Sequence, residues 1–455
     1  MPFLPDRLIH GVLILSLAIF LLSLLLVVIA MARRMAREKE FRVLDELRSR
    51  LRLVFESLRD GTISDSEALR RVREMLVHRS ALEQLLLEHL DAGGDAAHVR
   101  RLAEDLGLIE AWRRRLEPPG LVPLPSSAFG FWERARNADK LGRLRDAGSW
   151  SLLADALRDP SSDVQRVALR ALAAIGELQS FYLLTEYARR VLAEPVPSLS
   201  ARELRAALAR FPLGVSGPLW PLLCDPNPKL QLLAADVLTE MLSARAATVE
   251  CAALEDFEGG PRLLDAVLRA LTTSESADIR ARMATLLGYS GSERAERHLV
   301  RLLGDSEWFV RLRAVRAWGV LRKNSGAARF SALLTDSHWR VREAAARHLA
   351  RSGDAGVNQL FETLLTKPDT YAREQIAEEL DASGELGRVI SRCAENGPGR
   401  DLDVLSEMLR IGRTRSVETA LDGRSQPLRR AAVLARLAAS SDLHVQAWAS
   451  RMAPQ

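Results

Sequence analysis

Eight histidines and three cysteines are the residues of this chain best able to hold a metal or act as nucleophiles. Their spacing supports neither role. No histidine begins a His-Glu dipeptide and none forms His-x-x-x-His, so the ligand sets of zinc hydrolases and of paired His-Glu metal sites are absent. His338 and His348 stand ten residues apart and read as surface and helix-end residues. Cys224, Cys251 and Cys393 lie too far apart in sequence for a disulfide framework or a cysteine zinc site, which fits a reducing compartment. Cys224 and Cys393 read as inert thiols without a basic partner. No Gly-x-x-x-x-Gly-Lys-Ser/Thr loop and no strand-linked Gly-x-Gly-x-x-Gly occurs, so nothing cradles a nucleotide. The expectation is a chain with no catalytic residue, no metal and no cofactor.

What does recur is arginine and aspartate. The 64 basic residues include five lysines (Lys39, Lys140, Lys229, Lys323, Lys367), and the remaining arginines fit a GC-rich, bacterial genome. Against 59 acidic residues the net charge is only +5, and a nucleic-acid track needs a continuous basic lane. Nucleic-acid binding is therefore disfavoured. With 455 residues, 47% of them apolar, there is room for two or three domains and a large core.

The elements that carry the charges repeat. Asp305-Ser-Glu-Trp-Phe-Val-Arg311 and Asp336-Ser-His-Trp-Arg-Val-Arg342 are one phrase 31 residues apart, and self-similarity at such a period marks a solenoid. Val164, Leu230, Ile279, Val310, Val341 and Ala372 serve as anchors. Four and eight residues after them stand Ala168 and Leu172, Ala234 and Leu238, Met283 and Leu287, Ala314 and Trp318, Ala345 and Leu349, and Ile376 and Leu380. Such a stripe is one buried helix face. Arg or Gln follows each anchor, while Asp159, Asp225, Asp305 and Asp336 precede theirs by five residues. Each unit reads as helix, Asp/Pro/Ser turn, helix and often a glycine stop at Gly176, Gly291, Gly353 or Gly384. Paired guanidinium and carboxylate between units would fix their register.

At these residues the chain resembles HEAT repeats, in particular the short bacterial, phycobilisome-lyase-type form with its Asp…Val-Arg-x-x-Ala…Leu-Gly signature. The resemblance implies an all-α, right-handed α-solenoid over residues 129–455. It is nearly silent on function. The pattern departs between Gly176 and Pro212, at an insertion over 243–262, and after Leu380, where the repeat decays as a capped array requires.

Ahead of the array, residues 1–32 read as a transmembrane anchor. Gly11 to Ala32 carry no charge, long enough as a helix for about 30 Å of hydrocarbon. Arg33, Arg34, Arg37, Lys39 and Arg42 follow it, which by the positive-inside bias predicts a bacterial inner-membrane protein, single-pass, with its N-terminus outside and its solenoid cytoplasmic. Residues 33–117 read as about three amphipathic helices, and the proline-rich stretch 118–128 as a linker.

The remaining candidates form a protein-binding surface: Leu312, Arg313, Arg316, Arg340 and Arg347, with Trp308 and Trp339 at equivalent turn sites where an aromatic can pack on the next unit or stack on a ligand. Trp318 lies on the buried stripe. The expected function is a membrane-anchored scaffold that binds a protein partner, such as a membrane enzyme or signalling protein. The alternative is a lyase- or isomerase-like enzyme of the kind the short repeats resemble.

Overall fold

Each repeat helix forms for reasons visible in its own residues. In the helix Ser162–Ile175 an acidic Asp163 sits in the positive first turn, and Val164, Ala168 and Leu172 fall on one face. Gly176 then ends it at φ 77°, where a side-chain-bearing residue would be strained.

A computed structural model describes residues 6–116, 127–194, 198–248, 259–322, 326–397, 399–424 and 427–452, without the side chains of 6–19, 36–41, 127–129, 248, 322 and 423–424. Among the described residues every regular element is helical. The chain divides into two compact units, residues 1–180 and 181–455. The expected linker at 118–128 falls mostly outside the described residues.

The first unit holds α1 (Asp6–Arg59), α2 (Asp65–Glu74), α3 (Arg79–Asp91), α4 (Ala96–Asp105), α5 (Leu108–Leu116), α6 (Ser127–Arg143), α7 (Trp150–Ala156) and α8 (Ser162–Ile175). The stretch expected as about three helices is divided further, because the 3₁₀ turn Met75–His78 and Gly107 at φ 67° interrupt it. Leu47, Leu51, Val54 and Phe55 bury the C-terminal part of α1 in this unit, and Phe55 stacks on His89 at 3.8 Å. Between α6 and α8 the approach is so close that a Cβ on Gly142 would stand 2.5 Å from Ala171, so only glycine fits.

The anchor is corrected. Among the described residues no helix is long and apolar enough to cross a membrane. The described apolar side chains, Phe20 to Ala32, supply roughly 20 Å of helix against about 30 Å of hydrocarbon. The helix then continues without a break into the polar part of α1. The remaining side chains of the expected span, 11–19, lie outside the described residues. The inner-membrane, single-pass localisation built on that span falls with it.

The helix Leu178–Ala193, α9, crosses the division between the units, and the rest of the second unit follows as helical hairpins. These are α10 (Ala201–Leu208), α11 (Trp220–Leu223), α12 (Pro228–Thr248), α13 (Gly260–Thr273), α14 (Ala277–Leu287), α15 (Glu293–Leu302), α16 (Trp308–Arg322) and α17 (Trp339–Arg351). The closing helices are α18 (Gly353–Thr366), α19 (Thr370–Ala382), α20 (Glu385–Asn396), α21 (Arg400–Arg410), α22 (Thr414–Arg424), α23 (Pro427–Ala438) and α24 (Leu443–Met452). Of the insertion, 249–258 lie outside the described residues.

The 31-residue alignment holds at the core. All eighteen stripe residues, from Val164 to Leu380, are at most 2% exposed. Burying a large aliphatic side chain contributes about 1.5–3 kcal/mol, so these positions dominate the stability of the repeats. Trp318 is 1% exposed and meets the edge of Phe330 at 5.7 Å. A Cβ on Gly326, which sits at φ 84°, would come within 2.9 Å of the Trp318 ring. His348, expected at the surface, is buried and lies against Phe330 at 4.4 Å, because α17 turns that side of its last turn inward.

Candidate functional site: the ladder and the inner-helix face

The recurring arginine and aspartate form rungs between successive units. Arg280 donates from Nε and Nη2 to the two carboxylate oxygens of Asp305 at 2.8 and 3.0 Å, and Arg311 does the same to Asp336 at 2.7 and 2.8 Å. In the first unit Arg134 reaches Asp159 at 2.6 and 3.1 Å. All three pairs are 25 residues apart. The same carboxylates accept the backbone N–H two residues on, from Ser161, Glu307 and His338, which opens the following helix. Arg311 also donates to the Asp305 carbonyl oxygen at 2.8 Å, so one guanidinium ties two turns together. Where glutamine replaces the arginine, Gln165 and Gln231 make the same carbonyl contact, at 2.7 and 2.6 Å.

Burial alone would raise the carboxyls of Asp305 and Asp336, but the guanidinium and backbone donors outweigh it and hold both below the usual carboxylate range. Arg280 and Arg311 are raised in turn, chiefly by those same hydrogen bonds. The rungs are structural: every charge in them is spent on its partner.

Of the aromatic candidates, Trp308 stacks on His338 of the next unit at 3.7 Å and 3°. That is the packing role expected for the turn site. Trp339 remains 52% exposed, and Arg340 lies over both rings, 5.8 Å from Trp308 and 5.2 Å from Trp339.

The basic candidates separate. Leu312 is buried at 6%, because α16 packs between α14 and α17 and closes the flank two residues past the anchor. It is not part of any open surface. Arg347 is committed to Glu343 at 2.7 Å and Glu379 at 3.6 Å. Arg313 and Arg316 are exposed on the open side of α16 and, among the described residues, have no ion-pair partner.

These two arginines border grooves that the sequence did not reveal. One, of about 440 Å³, lies between α16 and α17 and is lined by Val315, Arg316, Gly319, Val320, Ala344 and Arg347 among others. The other, of about 310 Å³, joins α12, α14 and α16 through Asp236, Thr239, Arg282 and Arg313, with Arg205 of α10 at its side. There Arg282 is paired with Asp236 at 3.3 Å and Arg205 with Glu240 at 3.7 Å. Val320 is 50% exposed at the rim. Its signal in the sequence was an apolar residue ten past the anchor, a position no stripe explains. Among the described residues no group of histidine, cysteine or acidic side chains is placed to hold a metal ion. Cys393 is buried, which raises its thiol, and the Cys224 thiol donates to the Ala266 carbonyl oxygen at 3.6 Å. Cys251 lies outside the described residues.

The sequence profile of HEAT repeats matches residues 264–330 and 326–423, the stretch that contains the rungs Arg280–Asp305 and Arg311–Asp336 and both exposed arginines. Over residues 264–423 the chain is similar to HEAT repeats. Several solved structures are similar to the chain. The Escherichia coli protein YibA is 16% identical with a TM-score of 0.35, over 65% of this chain and 100% of that one. Human deoxyhypusine hydroxylase in complex with glycerol is 18% identical with a TM-score of 0.24, over 61% and 96%. The complex of CpcE and CpcF of phycocyanin lyase from a Nostoc species is 14% identical with a TM-score of 0.22, over 66% and 94%. No curated protein matches the chain. The rungs Arg280–Asp305 and Arg311–Asp336 recur with the repeat of this stretch.

Proposed function

We propose that this chain is a non-catalytic, protein-binding scaffold whose inner-helix face on α12, α14, α16 and α17 takes an acidic, amphipathic segment of a partner protein. The observation that carries the reading is the pair Arg313 and Arg316, exposed and, among the described residues, in no ion pair while their neighbours Arg282 and Arg347 are paired. Beside them Val315, Val320 and Ala344 offer an apolar floor. Arginine at such a rim supplies bidentate contacts to a carboxylate, and the floor supplies burial for an aliphatic side chain. The alternative, lyase- or isomerase-like catalysis, rests on the resemblance alone and names no residue here.

The test is a crosslinked pull-down from cells with the full chain, with Arg313→Glu and Arg316→Glu combined, and with Arg170→Glu as an exposed arginine elsewhere. A partner lost only with the double variant supports the scaffold reading. Recovery of the same partners by all three proteins refutes this face.

A further inference from the structure

The ladder breaks at one place. Stepping 31 residues from Asp336 lands on Lys367, so the position 25 past Arg342 holds a cation where the earlier rungs hold a carboxylate. The capping aspartate has moved two residues along to Asp369, where it accepts from the Ala372 N–H at 3.1 Å. Arg342 keeps its contact with the Asp336 carbonyl oxygen at 2.8 Å, but its Nε, buried, has no hydrogen-bond partner. Its guanidinium instead lies 5.8 Å from the ring of Tyr371. The next arginine in register, Arg373, finds Glu407 at 2.8 Å, so among the described ladder arginines Arg342 alone lacks a carboxylate.

A buried donor without an acceptor is costly, and in three other rungs the same edge of the same side chain is filled by a carboxylate. On the adjoining surface Tyr371 is 71% exposed and Trp339 is 52% exposed. Arg340 and Lys367 add positive charge there. We propose that this turn edge is a second docking site, for an acidic protein segment. A carboxylate of the partner completes the rung at Arg342, and an apolar or aromatic side chain beside it packs on Trp339 or Tyr371. The charge of the edge, a guanidinium whose Nε has no acceptor with two further cations, selects an aspartate or glutamate; the two exposed rings give the neighbouring residue its surface. A single-stranded nucleic acid also stacks on aromatic rings, but Arg340 and Lys367 beside the two rings fall short of the continuous basic groove that a strand requires.

The experiment uses the full chain and a fluorescein-labelled peptide of alternating Asp and Leu, read by anisotropy, with a matched Asn-Leu peptide. Lys367→Asp supplies the missing carboxylate from the chain itself. It should raise the melting temperature and weaken Asp-Leu binding at least tenfold. Lys229→Asp, the same charge change at an exposed lysine of another repeat, should leave binding unaltered. Arg342→Lys, which keeps the charge and loses the bidentate edge, should weaken it as well, and Tyr371→Ala less so. Equal binding by wild type and Lys367→Asp overturns the proposal, as does equal weakening by Lys229→Asp. Equal affinity for the Asn-Leu peptide, or displacement by an oligothymidine strand at the same concentration as unlabelled peptide, also overturns it. If the Arg313→Glu/Arg316→Glu variant alone abolishes peptide binding, the acidic segment sits on the inner face: the edge site fails and the scaffold reading stands.

Discussion

Trp318 and Arg316 are two residues apart on α16 and have opposite fates, which makes them a direct test of the face assignment. Truncating Trp318→Ala removes a ring that is 1% exposed and should cost about 3–5 kcal/mol in urea unfolding. Arg316→Ala changes an exposed side chain and should stay within about 0.5 kcal/mol. The rungs make a pH prediction. Because Asp305 and Asp336 are held below the usual carboxylate range in the fold, their contribution is fully present above the unfolded value of about 3.9 and is lost as pH falls through their lower folded values. Asp336→Asn should therefore lower the urea midpoint at pH 7 and flatten its decline below about pH 4. A parallel decline in both proteins would mean that the rung carries no acid sensitivity. At this scale the sequence was a good guide where a residue repeats and a poor one where it does not. The Asp305 and Asp336 rungs followed from phrase identity, whereas Leu312 was misplaced because a helical wheel of one helix cannot show the neighbours that flank it.

Among the elements, α10 shows how much a terminus contributes. Ser200 accepts from the Glu203 N–H, and Glu203 reaches back to the Ser200 N–H at 2.9 Å, a reciprocal capping box. Ser200→Ala should cost about 1 kcal/mol, read as a fall in the urea midpoint of the full chain. The second helices of the repeats were legible because their apolar period has a single solution, and a four-residue stripe leaves no other face to bury. The helices from 65 to 116 were less legible: their boundaries depend on a 3₁₀ turn and on Gly107, which a hydropathy period does not register. For α1 the run of uncharged residues was read by length alone, and the described part of it is too short to span a bilayer. The break at Lys367 is legible in the repeat itself, 31 residues past Asp336. The grooves beside Arg313 and Arg316 arise from three or four helices at once and have no period to betray them.

For the whole molecule, two compact units imply two cooperative transitions. Calorimetry of the full chain should give a van't Hoff enthalpy below the calorimetric one, and Trp318→Ala should move only the transition of residues 181–455. A single two-state transition would show that the units unfold together. Far-ultraviolet circular dichroism should be dominantly helical, as the described residues are.

The rungs also have a direction. In each of the three regular ones the arginine comes first and its carboxylate 25 residues later. A ribosome working at about 5–20 residues per second leaves that guanidinium waiting roughly one to five seconds for its acceptor. During synthesis, then, Arg134, Arg280 and Arg311 each emerge ahead of the carboxylate that pairs with them. A chain stalled within the 25 residues after one of these arginines displays a guanidinium edge that the finished repeat covers.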